Sequence, residues 1–160
     1  MSTPLRLRQP PYGESQQSWA KIKKSRRYFM ALQICVMTPD CIFLNKEVDE
    51  IILPTNTGQM GVLSNHAPLI TALDIGVMLV RTQKDWESVA LMGGFALVKQ
   101  NQVTVLVNEA ESKETIDPQE AEETFASAKE TLEKATGQKE KVEANFAFKR
   151  ARARYQVIGA

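Results

Sequence analysis

Histidine occurs once in this 160-residue chain, at His66, and cysteine twice, at Cys35 and Cys41. A lone imidazole excludes any site that needs two. Two cysteines build neither a disulfide framework nor a zinc site of paired thiols, and both are expected as reduced thiols. No run approaches 18 consecutive apolar residues, so no segment reads as a helix able to cross a membrane. Net charge is nearly absent: 20 basic and 19 acidic residues leave +1, which argues against a general polyanion binder. With no Gly-rich phosphate loop either, an enzyme reading is weak, and no cofactor or metal is expected. What is present, 43% hydrophobic residues over this length, suffices for one cored domain with a small appendage.

The small total conceals unlike segments. Residues 1–29 carry Arg6, Arg8, Lys21, Lys23, Lys24, Arg26 and Arg27 against Glu14 alone, a net +6, and are rich in Pro, Ser and Gln. They show no apolar periodicity that could offset the entropy of ordering them, so a disordered basic leader is expected. Two readings of it stand: an organelle-targeting leader and an upstream extension without function. The remaining residues, 30–160, carry a net −5.

From Leu32 onward the text is β-like. Leu32, Ile34 and Val36 alternate with Gln33, Cys35 and Met37, the period of a half-buried strand. Further strands are predicted over 48–53, 77–81, 88–92, 95–99 and 103–107. Their separators are Pro54 with the turn-forming run 55–58, then 83–85, Gly93-Gly94 and Gln100-Asn101. Short strands at near-regular spacing predict an antiparallel β-sandwich or barrel over residues 30–112.

At Ile116 the period changes. Asp117 reads as an N-cap, Pro118 as the first helical residue and Glu120 as a residue reaching back to the cap. Ala121, Phe125, Ala128, Leu132 and Ala135 recur at helical spacing, and Gly137 is predicted to stop that helix. Ala144, Phe148, Ala151, Tyr155 and Ile158 repeat the spacing, so residues 113–160 are expected as an antiparallel helical hairpin. Its first helix carries a net −4 over 117–136 and its second a net +4 over 138–160. Because exposed pairs contribute only about 0–1 kcal/mol each, such a hairpin could open if an acidic partner engaged the basic helix. Taken alone, the basic run Lys149, Arg150, Arg152 and Arg154 is, as a charge run, more often a solvated helix face.

Several motifs then occur in order: Glu50-Ile51-Ile52-Leu53-Pro54, the run 58–68 from Gly58-Gln59-Met60 to His66-Ala67-Pro68, and Ala90-Leu91-Met92-Gly93-Gly94-Phe95. Val103-Thr104-Val105-Leu106, Val142-Glu143-Ala144-Asn145 and Arg150-Ala151-Arg152 follow. From Met30 almost to the C-terminus the chain resembles the epsilon subunit of F-type ATP synthases, chloroplast and cyanobacterial branch. One departure is Ser64, where that family usually has proline. The resemblance implies a non-catalytic rotor subunit whose sandwich binds the gamma subunit and sits on the membrane-embedded c-ring. It would help couple proton flow to ATP synthesis, peripherally on the stromal side of the chloroplast thylakoid membrane or on the cytoplasmic side of a cyanobacterial one. It further implies that the hairpin either lies folded beside the sandwich or rises along gamma and restrains ATP hydrolysis. In the raised state Lys149, Arg150, Arg152 and Arg154 would meet an acidic loop of the beta subunit. His66 is implied as a gamma contact and Gln59 as a c-ring contact. Some bacterial relatives bind ATP through an Ile/Leu-Asp-x-x-Arg-Ala motif. Here the text is Ile116-Asp117-Pro118-Gln119-Glu120-Ala121, and Glu120 puts a negative charge where a phosphate needs a positive one. Nucleotide binding is therefore not expected. A nucleic-acid module is the remaining alternative, but residues 30–160 are acidic overall and lack an aromatic stacking strip.

Overall fold

A computed structural model describes residues 31–159, so the leader readings fall outside the described residues. Among the described residues eight strands precede two helices: β1 Leu32–Met37, β2 Ile42–Val48, β3 Glu50–Thr55, β4 Gly58–Leu63, β5 Leu69–Thr82, β6 Asp85–Lys99, β7 Gln102–Val107, β8 Ala110–Ser112, α1 Pro118–Lys134 and α2 Gln138–Gly159. The strands run in the order β2-β1-β7-β6-β5-β3-β4, with β8 added on β6. Every pairing is antiparallel except β1 with β7.

The sandwich arises because β5 and β6 fold over together. Leu73 faces Gly94 and Ile75 faces Met92, with Asp74 and Gly93 unpaired between them. Beyond that bend β5 pairs with β3, and before it β6 pairs with β8, so one sheet supplies both layers. Leu32, Ile34 and Val36 of β1 consequently share a core with Ile51 and Leu53 of β3 and Val62 of β4, strands that are not sheet neighbours. All six are fully buried. Each stabilises the fold by about 1.5–3 kcal/mol relative to leaving it in water. At the open edge Lys46 of β2 pairs with Glu87 of β6 and ties one layer to the other.

Several expectations need correction. Gly93 and Gly94 do not separate two strands but sit inside β6 at its bend. Gly93 has φ +78°, and a Cβ on Gly94 would collide with the Leu106 carbonyl and lie 2.8 Å from Val107 Cα. Glycine is thus required there for backbone conformation and close strand approach, not for a turn. The strand predicted over 77–81 extends back to Leu69, and β2 and β4 were not foreseen. Pro54 does not end β3. It lies where the β3–β5 register breaks between Ile52 and Thr55, so its missing N–H leaves no ladder bond unmade.

The helical hairpin follows its sequence at the start and departs at the turn. Asp117 caps α1, accepting from Glu120 N–H at 3.0 Å, with Pro118 opening the helix. The Glu120 carboxylate does not complete the reciprocal cap but reaches Arg154 of α2 at 3.4 Å. Helix α1 ends at Lys134, where the extended Ala135 closes it through a bond to Thr131 O. Gly137 therefore does not stop α1; it starts α2, its carbonyl accepting from Lys141 and its N–H donating to Glu140 at 3.3 Å. The expected seam forms around Phe125, which stacks on Phe148 and on Tyr155.

Candidate functional site: an apolar sheet face and a clasped basic helix

The outer face of one layer is apolar and uncovered. Alternation along β6 turns Ala96 and Val98 into the core and Phe95 and Leu97 outward. Ile70 of β5 lies directly opposite Leu97, and Leu106 of β7 directly opposite Phe95. These four are 73%, 43%, 52% and 61% exposed in the order Ile70, Leu97, Leu106 and Phe95. Four large side chains in the middle of a paired sheet, left in water, mark a surface made for a partner. A groove of about 670 Å³ continues this face around the bend, lined by Met37, Pro39, Met92 and Phe146 of α2 among others.

The two contact residues implied by resemblance lie toward opposite ends of β4. Gln59 is exposed and sits inside β4, opposite Pro54, rather than in the turn before it. His66 follows the other end, where Leu63 faces Glu50. Its N–H donates to Leu63 O, and its half-buried ring bonds Ala67 O through Nδ1 at 2.8 Å. Asn65, at φ +63°, donates its N–H to Asn101 Oδ1 at 2.6 Å, which pins this loop to the β6–β7 turn and hence to the start of the apolar face.

The other layer is covered by the hairpin. Ala90 and Met92 of β6 pack with Ile116, Ala121, Ala153 and Val157, and Ile75, Val77 and Ile158 close around them. Around this small core the basic residues of α2 are paired with acids of the sandwich. Lys149 reaches Asp74 at 2.7 Å, Arg150 reaches Glu109 at 2.6 Å, and Arg154 reaches Glu111 at 2.7 Å and Glu120 at 3.4 Å. Arg152 is exposed and forms no ion pair among the described residues. Thus three of the four expected cations point to the sandwich, and the fourth faces solvent. Burial raises the Asp74 carboxyl, but the hydrogen bonds from Lys149 and Ile75 N–H and the lysine charge outweigh it and hold it below its ordinary value. For Arg154, burial lowers the guanidinium while the bonds and charges of Glu111 and Glu120 outweigh it and raise it.

Sequence reasoning missed both the apolar face and the acids of the clasp. A signal for the first existed, because Phe95-Ala96-Leu97-Val98 is apolar at every position and reads as a strand covered on both faces. For Asp74, Glu109 and Glu111 there was none, since only the fold brings them to α2.

The comparisons with known proteins agree with this architecture. Residues 31–113 match the family described as ATP synthase, Delta/Epsilon chain, beta-sandwich domain, and residues 114–159 match its long alpha-helix domain. The ATP synthase epsilon chain, chloroplastic, of Oltmannsiellopsis viridis is 95% identical over 131 residues, covering 82% of this chain and 100% of that protein. Its counterpart in Tupiella akineta is 79% identical over 129 residues, covering 81% and 99%. Among solved structures, a chain of the Euglena gracilis mitochondrial ATP synthase, OSCP/F1/c-ring in rotational state 1, shares the fold at TM-score 0.68 and 22% identity, over 77% of this chain and 78% of that one. The chain belongs to the ATP synthase delta/epsilon family, as a non-catalytic subunit of the chloroplast epsilon type.

Proposed function

We propose that this chain joins the gamma subunit to the c-ring in the central stalk of a proton-translocating ATP synthase, helps couple proton flow to ATP synthesis, and restrains ATP hydrolysis through its helices. The exposed strip of Ile70, Leu97, Phe95 and Leu106 carries the reading, because a rotor element needs a broad, rigid surface that another subunit covers permanently. In this assignment residues 30–112 are the rotor domain, residues 113–160 the regulatory hairpin, and residues 1–29 a dispensable leader. Gamma covers the strip together with the His66 loop, and Gln59 at the far end of β4 faces the c-ring. Gln59 is neutral, so that contact is a hydrogen bond and not a salt bridge. The raised hairpin offers Lys149, Arg150, Arg152 and Arg154 to the acidic loop of the beta subunit. Through the complex the chain sits peripherally on the stromal side of the chloroplast thylakoid membrane, consistent with relatives named chloroplastic.

The test is binding to isolated gamma by calorimetry, comparing the unaltered chain with Leu97→Asp/Leu106→Asp. Both side chains are exposed, so the sandwich should stay folded. Losing two buried anchors, at about 1.5–3 kcal/mol each, should weaken binding more than about 100-fold. Unchanged affinity would remove the strip from the interface.

A further inference from the structure

We propose that the sandwich acids Asp74, Glu109 and Glu111 compete with the external acidic partner for the same cations of α2, so that an internal clasp sets how readily the hairpin is released. This rests on the regulatory role given to the hairpin above and adds what holds the hairpin down.

Three observations carry it. First, the apolar part of the docking is small: the helical residues in it are Ala121, Ala153, Val157 and the partly buried Ile158. Alanines bury little area, so the polar contacts have more than usual weight in the balance. Second, the cations are used in a graded way. Lys149 and Arg150 are engaged once each at the bend end of the sandwich, by Asp74 and Glu109. Arg154 holds two carboxylates from two different elements, Glu111 of β8 and Glu120 of α1, with only 21% of its side chain exposed. Arg154 therefore ties the sandwich and both helices at one point, and any partner that takes it must first break both contacts. Third, Arg152, which lies across α2 from Arg150 and Arg154 and one turn on from Lys149, is exposed and outside the clasp. It is the cation an acidic partner can engage first, without cost to docking, before the others exchange.

The consequence is a reversal of sign between two kinds of variant. Removing the cations weakens docking and also removes what the partner grips. Removing the sandwich acids weakens docking and leaves the grip intact. Screening by salt acts on both sides, so its net effect on hydrolysis reports their difference and not the partner contact alone.

The experiment uses the full chain, with spin labels at Lys84 on the sandwich and Glu133 on α1 in a Cys35→Ser/Cys41→Ser background, and then the assembled complex. In the unaltered chain one docked distance should dominate in about 0.1 M salt. Raising salt to about 1 M, which shortens screening from roughly 10 Å to 3 Å, should broaden it. The Asp74→Asn/Glu109→Gln/Glu111→Gln variant should show a roughly tenfold larger released fraction already at the lower salt. In the complex this variant should hydrolyse ATP several-fold more slowly, while Lys149→Gln/Arg150→Gln/Arg154→Gln should hydrolyse it faster. The single change Arg150→Glu should enlarge the released fraction and the swapped pair Glu109→Arg/Arg150→Glu should return it toward the docked distance, which separates loss of the clasp from misfolding. Unchanged distances in the acid-side variant overturn the clasp. Release of the hairpin without slower hydrolysis, while the cation variant still relieves inhibition, overturns the competition and leaves the regulatory reading standing. No change of hydrolysis in either variant overturns the regulatory reading itself.

Discussion

Phe125 of α1 and Tyr155 of α2 stack with ring centroids 4.9 Å apart and planes 7° from parallel. The same Phe125 ring lies 5.6 Å from Phe148, so one side chain bridges two turns of the opposite helix. The buried residues of the two helices include Ala128, Ala144 and Ala151, so the stack of this ring on Phe148 and Tyr155 is the contact of large side chains in the seam. Such aromatic pairs contribute about 0.5–1.5 kcal/mol beyond their burial.

Phe125→Ala should therefore loosen the hairpin by about 2–3 kcal/mol and leave the sandwich untouched. Hydrogen exchange reads this directly. Amides of 118–159 should exchange faster by one to two orders of magnitude, while those of β1 and β7 keep their protection. A uniform acceleration across both parts would show instead that the hairpin and the sandwich unfold as one unit.

Gly94→Ala tests the fold-over of the sheet. The added Cβ meets the Leu106 carbonyl and the Val107 Cα, both backbone, so no side chain can move aside. Gly61 in β4 has open space at the same point, and Gly61→Ala should be nearly neutral. A loss of more than about 3 kcal/mol is expected for Gly94→Ala, lowering the thermal midpoint by at least ~10 °C. Similar midpoints for the two variants would mean that the bend tolerates a side chain.

These two glycines also show where sequence reading reached its limit. Leu32, Ile34 and Val36 announced a half-buried strand because alternation is a local property, and Asp117-Pro118 announced a helix start because capping is local too. Gly93-Gly94 looked like a turn because the usual reason for paired glycines is a turn. The actual reason at Gly94, close approach of β7, depends on Leu106 and Val107, more than ten residues further on. Strand β4 was hidden by its two glycines and its lack of alternation. In α2, Ala144, Ala151 and Tyr155 were legible as one seam. The second buried side, Ala153 and Val157, was masked by the arginines interleaved with it. Asp74, Glu109 and Glu111 were three unremarkable acids until the fold placed them along α2.

The clasp should be insensitive to pH in the range where such complexes work. Asp74 is held below its ordinary value of 3.8, so its contribution is complete above that value and is lost only as pH falls through the lower folded one. The charged group facing it is Lys149; Arg154, raised above an already high value, stays charged throughout. The other carboxylates of the clasp, Glu109, Glu111 and Glu120, meet only Arg150 and Arg154. Spin-label distances between sandwich and hairpin should be flat from about pH 6 to pH 8 and lengthen only below about pH 4. Asp74→Asn should remove part of that acid transition. Lengthening between pH 6 and pH 8 would require a different titrating group.

The sandwich should stand without its hairpin. Its main core draws every residue from the strands, and no helical side chain enters that cluster. Removing residues 113–160 uncovers only the smaller patch around Ala90 and Met92, together with the partly buried Ile75 and Val77. Residues 30–112 should therefore fold cooperatively, at some loss of solubility, and should bind gamma within about threefold of the full chain, because the Ile70–Leu97 and Phe95–Leu106 strip remains. Within that fragment His66→Ala should weaken binding more than Gln83→Ala. His66 sits on a loop pinned to the start of the strip by Asn65 and Asn101, whereas Gln83 lies in the β5–β6 turn, with its N–H bonded to Asp49 at 2.6 Å. Equal affinities would make His66 a loop-ordering residue through its bond to Ala67 O and nothing more. A fragment that folds yet fails to bind would move the gamma contact onto the helices.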